Sequence, residues 1–295
     1  MEPTGPRHNR IAFAVAAATL AMLMLAVIVS ASGGWEGFSR ILSLQGKPEP
    51  ASANVLSEHH TEALDAMPPQ AQAEFLLERS INHYDGANAE IEARVGAWRG
   101  KVQPSERFET LFRMAINSDD LRVRAAAIEI DIVARALDKS ASTVERLEPV
   151  ARSGEQGPRA NALWNLGLIG SRGVEQERVA EILLASVHDD NVNIRYWAVE
   201  GLSYLATDAV IPPLLDVFHD DASPMIRERA ACGLSQSGML TRAQRMTAVP
   251  RLLDYAGDFS LDDQTRGWVF QALRDITGQN LPHDPAPWRE WYARR

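Results

Sequence analysis

Apolar residues recur at helical spacing between residues 106 and 280, and the same pattern appears five times. Each copy can be aligned on one arginine, and the positions three, four and seven residues after it are almost all apolar. Those positions share one face of a helix, so each copy predicts an amphipathic helix with one buried stripe. The aligned arginines are Arg124, Arg159, Arg195, Arg227 and Arg266.

One residue departs from the stripe. Asp131 lies seven residues after Arg124, where the other four copies have leucine. Its neighbours Ile130 and Ile132 are apolar, and we expect them to carry the packing of this helix instead.

A second apolar-periodic stretch precedes each aligned helix, as in residues 179–184 and 210–215. Acid pairs stand just before most aligned helices, where an aspartate can cap the helix and interact favourably with its dipole. The unit is therefore helix–turn–helix with a period of about 35 residues. This predicts an all-α fold, an α-solenoid of five repeats over residues 106–280. The acid pairs are Asp119-Asp120, Asp189-Asp190, Asp220-Asp221 and Asp262-Asp263, whereas the second copy has Ser153-Gly154.

Both flanks of the array are also predicted to be helical. Apolar residues at helical spacing in residues 70–105, broken at Gly86, predict a hairpin that leads into the repeats. Residues 281–295 predict a capping helix, in which Trp288 and Trp291 would plug the exposed end of the core. A role for these two tryptophans in docking a partner is the alternative.

Residues 11–31 are uncharged and follow Arg7 and Arg10. As a helix they would span the ~30 Å bilayer core, and the preceding arginines favour a cytoplasmic N-terminus. We therefore predict a transmembrane signal anchor, with residues 1–10 in the cytoplasm and the bulk of the chain outside it, in the periplasm if the source is bacterial. A cleaved signal peptide, which would make the protein secreted, is the alternative. The proline-containing residues 32–69 are predicted to be a linker.

Charge and motif content exclude several kinds of function. The net charge is −9, and this acidic balance argues against nucleic acid as the main partner. The sequence has neither a nucleophile elbow nor a glycine-rich phosphate loop. The motifs at 188–190 and 219–221, each His-Asp-Asp, occupy equivalent helix ends, and no third ligand stands at a supporting spacing. We expect no catalytic residue, no cofactor and no metal.

The segment from Asp189 to Ala198 reads Asp-Asp-x-x-x-x-Arg-x-x-Ala. It resembles the HEAT-like repeats of the type first associated with phycobilisome lyases, and the resemblance covers about residues 106–280. It implies that the second helix of each repeat lines a concave face, and that acids and arginines form a ladder between neighbouring repeats. The implied ladder joins the five aligned arginines to Asp120, Asp190, Asp221 and Asp263.

Positions two, five and nine residues after each arginine point away from the core stripe and would line that concave face. Aromatic residues among polar ones are typical of binding hot spots, so we predict a groove for a protein or peptide, centred on three tryptophans. The alternative is that these rings pack against neighbouring helices, since tryptophan is largely buried on average. The candidate groove residues are Trp164, Trp197, Glu200, Tyr204, Arg229, Trp268 and Gln271.

The predicted function is a non-catalytic interaction scaffold of the cell envelope, tethered to the membrane by residues 11–31. Two alternatives remain open at the level of the sequence. The resemblance to the lyase-associated branch suggests a lyase or an enzyme-accessory protein. A purely structural spacer on the membrane, with no partner in the groove, is the other.

Overall fold

The computed structural model describes residues 55–56 and 58–295. The predicted anchor at 11–31 and most of the predicted linker at 32–69 lie outside these residues. Within the described part of the chain, no helix is both long enough and apolar enough to cross a membrane.

Fifteen α-helices follow one another through the described residues, with short 3-10 helices at Val95–Trp98 and Asp208–Val210. They are α1 Glu58–Asp65, α2 Pro69–Ile81, α3 Ala87–Arg94, α4 Glu106–Ile116, α5 Leu121–Ala134, α6 Ala141–Ala151, α7 Gln156–Gly170, α8 Gln176–Leu184, α9 Val192–Tyr204, α10 Ile211–Asp220, α11 Pro224–Ser235, α12 Arg242–Met246, α13 Val249–Ala256, α14 Asp263–Thr277 and α15 Pro285–Ala293. The predicted all-α solenoid is confirmed.

The five repeats are the helix pairs α4–α5, α6–α7, α8–α9, α10–α11 and α13–α14. The short helix α12 is inserted between the fourth and fifth pairs, and a capping box of Thr241 and Gln244 starts it. The residues of the predicted stripe are all buried, including Leu163, Leu202 and Leu273, which have no exposed surface. The stripe therefore forms the continuous core between the two layers of helices.

The helix α1 lies within the residues predicted to be a linker, so that prediction is wrong for its last part. Leu64 in α1 is completely buried, and Leu56 donates its backbone N–H to the carbonyl oxygen of Asp85 over 3.0 Å. The prolines and small polar residues that indicated a linker stop before this point. The helical pattern begins about one short helix earlier than the Pro68-Pro69 pair indicated.

The second helices α7, α9 and α11 approach one another at backbone contact. A Cβ atom on Gly167 would lie 2.5 Å from the Cα atom of Gly201, and one on Gly233 would collide with the Ser203 side chain. Gly238 has a positive φ of 75°, and a Cβ there would lie 2.3 Å from the carbonyl oxygen of Ser203. Only glycine fits at such approaches. These contacts place the second helices on the tightly wound, inner side of the array.

Asp131 is buried, although it occupies a position of the core stripe. Its carboxylate accepts a hydrogen bond of 2.9 Å from Nε of Arg135. Ile130 and Ile132 are also buried. The aspartate is therefore tolerated by a local charge pair, as buried charges require, and both neighbouring isoleucines pack in the core.

Arginine–aspartate pairs link successive repeats, but with different acids from those the resemblance implied. Arg159 binds Asp189 over 2.7 Å, Arg195 binds Asp221 over 2.8 Å, and Arg227 binds Asp262 over 2.8 Å. Of the implied acids only Asp221 takes part. Asp189 and Asp221 both stand six residues before the arginine of their own repeat. Asp262 stands four residues before Arg266, so no single spacing from the arginine defines the acid that faces the previous repeat.

The remaining implied acids do not bind an aligned arginine of the preceding repeat. Asp120 caps α5 by accepting from the backbone N–H of Arg122 over 2.8 Å, and it pairs with the Arg122 side chain. Asp263 pairs with Arg266 in the same helix. The side chain of Asp190 makes no hydrogen bond or ion pair to any residue that the structure describes.

The C-terminal helix α15 closes the end of the core. The indole of Trp288 is completely buried and donates to the carbonyl oxygen of Pro282 over 2.8 Å. Trp291 packs partly buried beside it, with ring centroids 6.4 Å apart.

Candidate groove on the inner face

A cavity of about 680 Å³ lies on the inner face, between the first three repeats and the end of α11. Five of the seven residues predicted to form a binding groove line it, namely Trp164, Trp197, Glu200, Tyr204 and Arg229. The α7 and α9 helices position four of these side chains, because the tight glycine contacts hold the two helices side by side.

Trp164 is the centre of an aromatic cluster in this cavity. Its ring lies edge-on to Tyr204 at 5.2 Å, to Trp197 at 5.7 Å and to Phe112 at 6.3 Å between centroids. Trp164 and Tyr204 are 6% and 1% exposed, whereas Trp197 is half-buried and meets Tyr196 at 5.3 Å. The cluster therefore has a buried base, Trp164 and Tyr204, and a solvent-accessible edge at Trp197 and Tyr196.

A buried ion pair forms the polar wall of the cavity. Nε of Arg229 lies 2.9 Å from Oε2 of Glu200, and the Arg229 guanidinium also donates to Oγ of Ser237. Burial raises the pKa of Glu200, an effect that the Arg229 charge and the nearby Tyr204 side chain partly offset. Burial also raises the pKa of Tyr204 well above its ordinary value, and the Glu200 carboxylate acts in the same direction. The tyrosine is therefore a neutral donor over the whole physiological pH range.

The buried carboxylate of Asp131 lies near the aromatic cluster. Nε of Arg135 donates to this carboxylate over 2.9 Å, and the Trp164 side chain also acts to lower its pKa. Burial raises the pKa of Asp131, an effect that the Arg135 charge opposes. The acid that departs from the repeat pattern thus lies near the central tryptophan of the groove.

Trp268 and Gln271 do not line this cavity. Trp268 packs partly buried against the core from α14, and Gln271 is exposed and donates to Asp275 over 2.8 Å. Gln236 donates to the other oxygen of the same carboxylate over 2.7 Å. The three tryptophans therefore do not form one continuous stripe, and the fifth repeat contributes its side chains farther along the inner face.

A second cavity of about 680 Å³ shares Asn117 with the first and is lined by Arg124, Arg242 and Arg245. Arg124 is 2% exposed and donates to three carbonyl oxygens, those of Ser118, Gln236 and Gly238. Arg245 donates to the carbonyl oxygens of Leu240, Ser235 and Ser237.

The buried Arg124 and the half-buried Arg245 both lie at the C-terminal end of α11, where unpaired helix carbonyls attract cations. Burial, with a further contribution from the charge of Arg124, lowers the pKa of Arg245 to about 10. Neither arginine forms an ion pair with a carboxylate of the described residues.

Several groove residues escaped the sequence pattern. Phe112 lies on a first helix, whereas the predicted groove positions all belong to second helices. Tyr196 immediately precedes Trp197, so the aromatic pair itself was a signal. No local sequence pattern indicates that Arg124 and Arg245 lie beside one another, since their proximity depends on the curvature of the array.

The described residues include no group of three or more histidine, cysteine, aspartate and glutamate side chains arranged to hold a metal ion. Within the second His-Asp-Asp motif, Nε2 of His219 lies 3.0 Å from Asp258 of the next repeat, and Nδ1 lies 2.5 Å from Asp220. Burial raises the pKa of the Cys232 thiol, which keeps it protonated and poorly nucleophilic.

Comparison with known proteins supports the repeat assignment. Residues 144–235, from α6 to the end of α11, match the family model for HEAT repeats. No curated protein matches the chain. The crystal structure of an engineered protein is similar to 74% of this chain, with 94% of that protein covered, 17% sequence identity and a TM-score of 0.35.

The matched range contains the second to fourth repeats, which supply Trp164, Trp197 and Glu200 to the groove. Residues 144–235 are thus similar to HEAT repeats, which in general suggest a protein-interaction scaffold.

Proposed function

We propose that this protein is a non-catalytic scaffold of the cell envelope that binds a protein or peptide in the groove on its inner face. One observation carries the proposal: a rigid aromatic cluster with an accessible edge at Trp197 stands beside a buried ion pair, Arg229–Glu200. Binding hot spots typically combine rigid aromatic side chains with polar groups of fixed orientation.

The accessible edge at Trp197 and Tyr196 supports a binding role, because a purely structural cluster has no need for exposed aromatic surface. Trp197 and Tyr196 are both half-buried and both line the cavity. A partner side chain placed on them would bury further aromatic surface without any movement of the core. The buried residues Trp164 and Tyr204 would then position this edge rather than contact the partner.

The envelope part of the proposal rests on the uncharged residues 11–31 and the two arginines before them. An anchor there would leave the solenoid outside the cytoplasm, and cleavage would release it as a secreted protein. Fusion of a reporter that is active only outside the cytoplasm to the C-terminus tests this part separately.

The binding test uses a photocrosslinking amino acid placed at position 197 of the full chain in cells of the source organism. A matched variant carries it at Arg146, an exposed residue of the first helix α6. A distinct crosslinked protein at position 197 and not at 146, identified by mass spectrometry, is expected. Identical products at both positions, or none, would support the spacer alternative instead.

Substitution separates binding from packing. Trp164→Ala should cost about 3–5 kcal/mol of stability, because it opens a large cavity in the buried base of the cluster. Trp197→Ala should cost distinctly less and yet abolish the crosslink introduced at the neighbouring position 196. If Trp197→Ala unfolds the protein while Trp164→Ala does not, the assignment of base and edge is wrong.

A further inference from the structure

The two cavities of the inner face form one groove, since Asn117 lines both and Ser235–Ser237 runs between them. One end of this groove is aromatic, at Trp197 and Tyr196. The other end is formed by Arg242, Arg245 and Arg124. A single extended segment could therefore contact both ends.

The groove carries an excess of positive charge in a chain whose net charge is −9. Its walls contain six arginines and no lysine, against four acids. Elsewhere in the chain the acids are in excess. The lining arginines are Arg113, Arg124, Arg135, Arg229, Arg242 and Arg245, and the lining acids are Glu109, Asp119, Glu200 and Asp275.

Most of these arginines have no carboxylate partner among the described residues. Arg229 pairs with Glu200, and Arg135 pairs with Asp131 behind the wall. The other four form no such ion pair: Arg124 and Arg245 donate to backbone carbonyls, Arg242 donates only to the carbonyl oxygen of Thr277 over 3.0 Å, and Arg113 is exposed at the rim.

The acids near the arginine end, Asp119 and Asp275, act on Arg245 through their charge but form no ion pair with it. Both oxygens of Asp275 already accept amide hydrogen bonds from Gln236 and Gln271. Asp119 is exposed and makes no ion pair within the described part of the chain. A guanidinium group binds a carboxylate through two parallel hydrogen bonds, and such bonds are about twice as strong as neutral ones.

We propose that the groove takes an acidic segment of a protein partner, with a carboxylate on Arg242 and Arg245 and an apolar side chain against Trp197 and Tyr196. This inference rests on the proposed function and specifies its partner. A nucleic acid fits less well, because Glu109 and Glu200 line the aromatic end and the acidic chain as a whole repels a polyanion. The carboxylate comes either from an aspartate or glutamate side chain or from the C-terminus of the partner.

A random peptide library displayed with free C-termini and selected on the immobilised full chain tests the proposal. Enrichment of peptides that combine acidic residues with an aromatic or aliphatic one is expected. An enriched peptide is then synthesised with asparagine in place of each aspartate, or with an amidated C-terminus. Whichever change removes the bound carboxylate should weaken binding about tenfold in a fluorescence anisotropy titration.

Protein variants locate the contact. Arg242→Gln removes an exposed charge whose only hydrogen bond within the described residues is to the carbonyl oxygen of Thr277. The fold should therefore persist, and peptide binding should weaken about tenfold. Arg146→Gln, on the outer helix α6, is the matched control and should leave binding unchanged. Raising the salt from about 0.1 M to about 1 M should weaken binding, since the screening length falls from ~10 Å to ~3 Å.

The outcomes separate this inference from the proposed function. Enriched peptides that are neutral or basic, or binding that Arg242→Gln leaves unchanged, would overturn the acidic partner while the groove remained a binding site. Displacement of the peptide by single-stranded RNA at equal concentration would also overturn it. If selection yields nothing that depends on Trp197, as judged with the Trp197→Ala variant, the inference and the peptide-binding groove fail together.

Discussion

Nη1 of Arg124, in the first repeat, donates a hydrogen bond of 2.5 Å to the carbonyl oxygen of Gly238, which lies 114 residues later in the chain. The other aligned arginines of the first four repeats bind an aspartate of the following repeat. The second repeat has Ser153-Gly154 in place of the acid pair, so Arg124 lacks that partner. It binds instead the end of α11 and joins the first repeat to the fourth.

Arg124→Leu is expected to destabilise the protein by about 3 kcal/mol, because it leaves buried carbonyl oxygens without a donor. Arg124→Lys should recover only part of this loss, since one ammonium cannot reach three carbonyl groups that a planar guanidinium reaches together. Urea denaturation of the three proteins measures the difference.

The control for Arg124 stands two residues away in the same helix. Arg122 is mostly exposed, with an ion pair to Asp120, and Arg122→Leu should cost less than about 1 kcal/mol. Hydrogen exchange tests the long-range part of the argument: the amide of Met239, bonded to Ser203, should exchange faster in Arg124→Leu. Unchanged exchange there would mean that Arg124 stabilises only its own repeat.

Gly167→Ala should destabilise the protein by about 3 kcal/mol or more, because the new methyl group would meet the Gly201 backbone at 2.5 Å and force α7 and α9 apart. Gly267→Ala is the matched control. It lies inside α14 with no atom within 4 Å of the added Cβ, and it should stabilise the helix by up to about 1 kcal/mol. Thermal unfolding of both variants would show shifts of opposite sign, and shifts of the same sign would contradict the close approach.

The sequence was sufficient for the repeat architecture because each repeat contains its own stripe and helix ends within about 35 residues. Local periodicity therefore predicted every pair from α4–α5 to α13–α14. Trp164, Trp197 and Glu200, which the same rule selects, line one cavity. The helical spacing could not place Trp268 relative to these residues. Which repeats share a cavity depends on the curvature of the array and not on the positions within one helix.

Two structural features could not be predicted from the local sequence pattern. The partner of each ladder arginine depends on the rotation between repeats, and the implied acid was therefore off by one residue at Asp190 and Asp263. The sequence pattern does not predict that Asp131 is a buried hydrogen-bond acceptor, because a charged residue in an apolar stripe has no partner within that pattern. Its partner is Arg135, one turn later in the same helix, which stabilises it as a buried acceptor.

The ion pair between Arg195 and Asp221 should be energetically coupled, because both side chains are largely buried and the contact uses two hydrogen bonds, of 2.8 and 3.1 Å. A double-mutant cycle with alanine at each position should give a coupling of about 1.5–3 kcal/mol. The pair Arg294–Glu290 in α15 is mostly exposed on both sides, and its coupling should stay below about 0.5 kcal/mol. Equal coupling energies in the two pairs would show that the arginine–aspartate pairs between repeats do not stabilise the protein more than a surface ion pair does.

The contact between His219 and Asp258 should make stability depend on pH. Burial lowers the pKa of His219, but the hydrogen bonds to Asp220 and Asp258 outweigh this and raise it above its ordinary 6.5. The hydrogen bond from His219, with further bonds from Ser260, lowers the pKa of Asp258 from 3.8 to about 2. Both shifts mean that the charged pair is favoured in the folded protein.

The two shifts define the pH window. A raised histidine pKa stabilises fully below the unfolded value of about 6.5, and the effect disappears as the pH rises through the folded value; a lowered aspartate pKa stabilises above about 3.8 and is lost towards about 2. His219→Gln should therefore lower the free energy of unfolding most at about pH 5 and less at about pH 9. What remains at high pH is the packing of the ring against Tyr255, at 4.6 Å. His188→Gln, at the equivalent but exposed position of the preceding repeat, should show no such dependence, so a similar pH profile for both variants would rule out the bridge to Asp258 as its cause.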